Sequence, residues 1–224
     1  MMQPRVEGLY AITPDVADTA DLVTMTQQVL AGGARLIQYR NKTADVALRL
    51  KQAHALVNLC QKFNVPLIIN DHPDLAVEVG AEGVHIGQGD ASITEVRRRL
   101  GPGKIIGVSC YNRLESAIRA ERQGADYVAF GAFFISATKP GAEIAPIDLL
   151  SLAKQKLHVP LVVIGGITPR HALELICLGA DAVAASNALF RARNIQSAAK
   201  HYSRLFKQTR HSIHHTYELS HDFT

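Results

Sequence analysis

GADYVAFG, residues 124–131, is the stretch whose reading decides the fold. Gly124 stops an amphipathic run in the way a helix C-terminal glycine does, and Asp126 to Gly131 read as a short strand, apolar on both faces. The phrase recurs as G-A-R at 33–35, G-A-E at 80–82 and G-A-D at 179–181. Working outward, strand-like runs are GLYAIT (8–13), ARLIQYR (34–40), PLIIN (66–70), GVHIG (83–87), KIIGVS (104–109), DYVAFG (126–131), PLVVIGG (160–166) and DAVAAS (181–186). Helical patterns fall near 18–32, 43–63, 73–80, 92–100, 112–123, 147–157, 168–178 and 194–208. Strands that are apolar on both faces suit a parallel sheet buried between a core and a helical layer. An open doubly wound sheet uses the same alternation. Eight strand–helix units without a linker favour closure, so the expected fold is α/β, a single (β/α)8 TIM barrel over residues 1–208. The stretch Thr209–Thr224 breaks the pattern, with His211, His214, His215 and His221 among polar residues. It reads as a polar C-terminal tail, expected to be mobile; a metal-binding tail is the lesser alternative.

Composition narrows the class. With 47% apolar and 20% charged residues, the chain is neither disordered nor a disulfide scaffold. No apolar run approaches the roughly 18 residues a membrane helix needs, and Met1 to Tyr10 hold no signal core, so the expected location is cytoplasmic. Cys60, Cys110 and Cys177 are odd in number and lack a C-x-x-C, which suits a reducing compartment and excludes a cysteine-ligated zinc. The net charge of +4 is mild. Its densest run, Arg97-Arg98-Arg99, lies in a helical segment and reads as a solvated face, with a partner surface as the alternative. Only 6% of residues are aromatic, so the stacking platform of a nucleic-acid binder is not expected.

In such barrels the chemistry sits at the C-terminal ends of the strands. There the second strand offers Gln38, Arg40 and Lys42, whose spacing of two puts three donors on one face while the chain stays extended, a set for an anion with several oxygens. Asn70-Asp71 follows the third strand and Gly87-Gln88-Gly89-Asp90 the fourth. Asp71 and Asp90 could share a hard divalent cation such as magnesium, or could cap the following helices. Ser109 ends the fifth strand. Ser136, Thr138 and Lys139 form a hydroxyl-hydroxyl-ammonium series between glycines that could wrap a phosphate, without Walker spacing. Gly165-Gly166-Ile167 and Ser186-Asn187 follow strands seven and eight, where barrels commonly bind phosphate through backbone N–H groups, and Gly166 permits close approach. His85 lies inside a strand and reads as a packed, hydrogen-bonded histidine. Gly101-Pro102-Gly103 enters a strand instead of a helix, the wrong order for a dinucleotide fingerprint, and no G-x-S-x-G elbow is present.

Taken in register, Gln38-Tyr39-Arg40-Asn41-Lys42, Asn70-Asp71, His85-Ile86-Gly87-Gln88 with Asp90, Gly107-Val108-Ser109, Phe133 to Lys139, Gly165-Gly166-Ile167 and the segment after Asp181 resemble the thiamine phosphate synthase family. The resemblance covers residues 7–207. It implies a transferase that joins hydroxymethylpyrimidine diphosphate to hydroxyethylthiazole phosphate and releases diphosphate. It also implies that Gln38, Arg40, Lys42, Asn70 and Lys139 hold the pyrimidine diphosphate, Asp71 and Asp90 hold Mg2+, and Ser109 lies near the reacting diphosphate. Ser136 and Thr138 match hydroxyls on the thiazole phosphate side, and Gly166, Ser186 and Asn187 its phosphate cradle. Arg40, Ser109 and Lys139 are the expected catalytic groups. The chain departs from the family pattern at Ser136, where threonine is usual, at Asn187, where serine is common, and at Cys110-Tyr111, where Thr-His is frequent. The nearest rival, a thiazole tautomerase, relies on a histidine close to the position of Tyr111. Expected partners are small phosphate and diphosphate esters, with no nucleic acid and no membrane; a homo-oligomer stays open.

Overall fold

The computed structural model describes residues 6–87, 92–135, 141 and 143–221, with side chains to residue 209. Strands and helices alternate as the glycine punctuation predicts. β1 (Gly8–Ile12), α1 (Thr19–Ala31), β2 (Leu36–Tyr39), α2 (Val46–Phe63), β3 (Leu67–Asn70), α3 (Pro73–Val79), β4 (Gly83–Ile86) and α4 (Ile93–Leu100) make the first half. The second half runs β5 (Ile105–Tyr111), α5 (Leu114–Arg122), β6 (Tyr127–Phe130), α6 (Asp148–Lys156), β7 (Leu161–Val163), α7 (Pro169–Cys177), β8 (Ala182–Ala185), α8 (Asn187–Phe190) and α9 (Ile195–His221). Every strand pairs in parallel with its successor, and β8 returns to β1 with Ala182 opposite Gly8, closing the barrel.

The strands separate two cores, because successive side chains face opposite sides of a strand. Leu9, Ile37, Ile69, Val84, Ile106, Val128 and Val163 face outward and pack under the helices. Tyr10, Leu36, Ile68, Ile105, Tyr127, Val162 and Ala182 fill the interior. The starts of α1, α2 and α7 are fixed by side chains. Asp18 accepts from the Asp21 N–H, Asp45 from the Leu48 N–H, and Thr168 with His171 forms a capping box ahead of α7.

Three details differ from the sequence reading. β5 runs on to Tyr111, with a register shift between Ser109 and Tyr111 against β6. The four-residue α8 is too short to show a period. Instead of breaking at Thr209, the helical backbone of α9 continues to His221. α9 lies against α1 and α7, and its buried Tyr202 donates to the carbonyl of Ile167 at 2.7 Å, tying the last helix to the loop after β7.

Candidate active site

The two-residue period decides which residues reach the mouth. On β2 to β5 the interior positions climb from Leu36 to Gln38, Ile68 to Asn70, Gly83 to His85, and Ile105 through Gly107 to Ser109. On β1, β6 and β8 the same level carries Ile12, Ala129 and Ala184 of the interior apolar cluster, and just past β7 Ile164 packs against it. One half of the upper barrel is therefore polar and the other apolar.

Gln38, Arg40 and Lys42 do not share one extended face. β2 ends at Tyr39 because Asn41, buried, turns the chain: its Oδ1 accepts from the N–H groups of Thr43 and Ala44, while its Nδ2 donates to the Val16 carbonyl and Gln52 Oε1. Gln52 also accepts from the Tyr39 hydroxyl at 2.8 Å. Thr13 completes the brace, its Oγ1 accepting from the Arg40 N–H and donating to the Arg40 carbonyl. Gln38 points into the barrel, whereas Arg40 and Lys42 line a cavity of about 190 Å3 at the β2–β3 side of the mouth, with Asn70 and Asp71.

Two groups that the sequence reading passed over share that cavity: Arg49 and His72. The Nη2 of Arg49 donates to the Ala44 carbonyl at 2.8 Å, while its buried Nε has no partner. A guanidinium nitrogen left so is costly unless an acceptor arrives. Arg40 meets Asp15 at 3.6 Å, a loose ion pair. Desolvation first, and Arg49 second, push the His72 imidazole below its ordinary range. Asp71 does not cap α3, whose cap position is His72. It sits in the left-handed region at φ 60°, which short polar side chains tolerate, and its Oδ2 accepts from the Asn70 amide at 2.6 Å. The cap position of α4 is Ser92.

Inside the barrel a line of side chains from five strands runs below the mouth. Gln38 Nε2 donates to the Tyr10 hydroxyl, Tyr10 meets Tyr127 hydroxyl to hydroxyl, and Tyr127 meets His85 Nδ1. His85 Nε2 meets Ser109 Oγ; each of these contacts measures 2.8 Å. Burial pushes both phenols upward and lowers the His85 imidazole to about 4, so the ring is neutral at pH 7. His85 is thus packed and bonded at both nitrogens, as its place within a strand suggested.

Around the rest of the mouth, Gly166 has φ 62°, and a Cβ there would stand 2.5 Å from the Ile135 carbonyl oxygen. Its close approach is to the loop after β6. Phe134, in the loop after β6, stacks on His171 in the first turn of α7, ring centroids 3.8 Å apart. Ser186 and Asn187 open α8, both half-buried. Asp90, Ser136, Thr138 and Lys139 lie outside the described residues. Arg97 and Arg99 are not a bare solvated face: Arg97 pairs with Asp126, and Arg99 with Glu95 and Asp74.

A closed eight-stranded parallel barrel with its polar groups gathered at the strand C-termini defines the TIM-barrel enzyme class. Residues 9–189 match the sequence model described as Thiamine monophosphate synthase, and the chain belongs to that family. It is 60% identical over 210 residues to a thiamine-phosphate synthase of Nitrosospira multiformis, covering 94% of this chain and 89% of the relative. It is 57% identical over 202 residues to that of Nitrosomonas eutropha, covering 90% and 95%. Among solved structures, a thiamine phosphate pyrophosphorylase from Pyrococcus furiosus superposes with a TM-score of 0.80 at 30% identity, covering 90% of this chain and 96% of that one.

Proposed function

We propose that this chain is a thiamine phosphate synthase, joining 4-amino-2-methyl-5-(diphosphooxymethyl)pyrimidine to 4-methyl-5-(2-phosphooxyethyl)thiazole. The observation that carries the reading is the cavity in which Arg40, Lys42 and Arg49 face Asn70 and Asp71. Three cations beside one carboxylate suit a diphosphate brought in with a divalent cation. In the step itself, the methylene C–O bond breaks and its electron pair leaves with the diphosphate. The aminopyrimidine ring stabilises the methylene cation, and the thiazole nitrogen lone pair forms the new C–N bond. No protein nucleophile is required, and the rate comes from orientation and from stabilising the departing charge.

Arg40, Lys42 and Arg49 offset the charge that grows on the leaving oxygens, with Lys139 added from the loop after β6. Asn70 and Gln38 orient the pyrimidine ester, Ser109 donates to the diphosphate, and Ser136, Thr138, Gly166, Ser186 and Asn187 take the thiazole phosphate. The donor set at Asp71 fits magnesium: a carboxylate oxygen on a fixed backbone, next to cations that leave substrate oxygens available. Asp71 and Asp90 would hold the ion, and when bound it supplies Lewis-acid stabilisation of the leaving diphosphate. Magnesium keeps several waters and binds substrate phosphates, so water and substrate oxygens would complete the coordination. Free thiols at Cys60, Cys110 and Cys177 fit a cytoplasmic setting. No described helix is long and apolar enough to cross a membrane.

The test incubates the purified chain with both esters, with and without magnesium, and follows thiamine phosphate and diphosphate together. Equal, magnesium-dependent appearance of both products is expected. Retained binding of either ester with no coupling would overturn the reading.

A further inference from the structure

The line from Gln38 to Ser109 has a direction, and the Gln38 amide sets it, with Nε2 facing the Tyr10 hydroxyl. Gln38 Nε2 can only donate, so Tyr10 Oη accepts from it. The Tyr10 proton then has one partner left, Tyr127 Oη. Tyr127, having accepted, sends its own proton to His85 Nδ1. A neutral imidazole whose Nδ1 accepts carries its proton on Nε2, and that N–H points at Ser109 Oγ. Ser109 is filled as an acceptor from below, and its O–H is left to donate upward. The opposite direction would set the Tyr10 proton against the Gln38 amide, two buried donors face to face, which a dry interior does not tolerate.

The line is also open at one end only. Tyr10, Gln38, His85 and Tyr127 are buried, and Ser109 alone is partly exposed. The fold makes room for it, since Gly107 has no side chain where the Tyr127 ring lies: a Cβ there would be 1.9 Å from Tyr127 Cζ. Beside Tyr127, the interior on β6 to β8 is filled by Ala129, Val162, Ile164, Ala182 and Ala184, so filling the barrel does not by itself require this polar run.

We propose that Tyr127 and His85 are positioning residues that polarise Ser109, holding its hydroxyl as a fixed donor toward the barrel mouth, where it meets the leaving diphosphate. The inference rests on the proposed synthase reading for the identity of the acceptor, and on the hydrogen-bond line alone for its direction. A hydroxyl fixed in this way needs no reorientation as charge collects on the leaving oxygens, which is the condition under which a donor is most effective.

Two measurements test it. In 15N spectra of the full chain with labelled histidine, His85 shows the Nε2–H tautomer, and Tyr127→Phe perturbs it; an Nδ1–H tautomer in the unmodified chain overturns the proposal, whether or not the chain makes thiamine phosphate. In steady-state kinetics, His85→Gln keeps an N–H where Nε2 stands, and His85→Asn keeps a polar atom only on the Tyr127 side. His85→Asn lowers kcat about 100-fold with KM for the pyrimidine diphosphate moving less than about threefold, and His85→Gln recovers to within about tenfold of the unmodified enzyme. Ser109→Ala combined with His85→Asn is no slower than Ser109→Ala alone, because His85 acts through Ser109. Equal losses in the Gln and Asn variants, or losses that add in the double variant, overturn the proposal, and thermal melting of each variant separates misfolding from mispositioning. Tyr127→Phe, which removes one oxygen and keeps the ring, repeats the kinetic test should the His85 variants fold poorly. Failure of the unmodified chain to couple the two esters defeats the synthase reading and leaves the tautomer to decide the rest.

Discussion

The two ends of the barrel use the same residue types to opposite purposes. At the N-terminal end, Glu82, Asp126 and Asp181, the acids of three G-A-[DE] phrases, each stand before an even-numbered strand. Each accepts an N–H from the first two residues of the preceding one: Leu67 on Glu82, Ile106 on Asp126 and Leu161 on Asp181. Arg97 then pairs with Asp126 at 2.5 Å and Lys154 with Asp181 at 2.8 Å. These donors and acceptors are satisfied within the molecule. At the C-terminal end the Arg40–Asp15 pair is loose, Arg49 Nε has no partner, and the polar line through the barrel stops at a half-buried hydroxyl. A charged side chain is structural where the fold supplies its counterpart, and a candidate for binding where the fold withholds it.

The contrast can be broken from its centre outward. Gly107→Ala forces a methyl into the Tyr127 ring, a clash of 1.9 Å with Cζ. It should cost about 3 kcal/mol of stability and most of the activity, seen as a lowered denaturation midpoint and kcat together. Arg40→Ala should reduce kcat about 100-fold while leaving the melting temperature near that of the unmodified chain, since its ion pair is weak. At the other end, Asp181→Ala strands the Leu161 N–H and should lower unfolding free energy by about 2 kcal/mol with unchanged turnover per folded molecule. A turnover defect there would erase the distinction between the two ends.

Glu121 sharpens the same contrast through acid. Burial alone would raise its carboxyl, but the N–H groups of Val159 and His158 outweigh this and hold it below the ordinary carboxylate range. Its contribution is therefore present above the unfolded value of about 4.3 and lost as pH falls through the folded one. The Glu121→Gln variant should show a shallower loss of stability below about pH 5 in acid titrations followed by circular dichroism. Smallest of all, Arg99→Ala on the exposed face of α4 should leave the denaturation midpoint essentially unchanged, because its ion pairs with Glu95 and Asp74 are solvent-screened.

The eight strands were legible because each is short, apolar on both faces and fenced by glycine or proline, and DYVAFG (126–131) differs from β6 only at its ends. Arg40, Lys42, Asn70 and Asp71 were legible as well, since residues just past a barrel strand reach the mouth wherever the helices lie. The turn at Asn41 was not, because its bonds go to Gln52 and Val16, remote in sequence. Arg49 looks like one more solvated charge on a helix until α2 is laid over β3. Tyr10 and Tyr127 read as core aromatics. Only barrel closure brings β1 and β6 within reach of each other, and only the bare Gly107 leaves room between them. The acids of the G-A-[DE] phrases announced helix ends and concealed their hold on the neighbouring strand.

The pairing of Gly8 with Ala182 also bears on how the molecule is made. A chain leaving the ribosome can fold β1 to β4 with their helices as a curved ribbon, but that ribbon keeps two bare edges until residue 185 has emerged. Closing the barrel pairs residues far apart in sequence and must wait for β8, which makes it a late and slow step of synthesis. The Tyr202 anchor on the loop after β7 comes later still, so that side of the mouth is secured only once α9 has emerged. During that interval the exposed strand edges need shielding from other nascent chains, and expression at lower temperature or with added chaperone should raise the yield of folded protein.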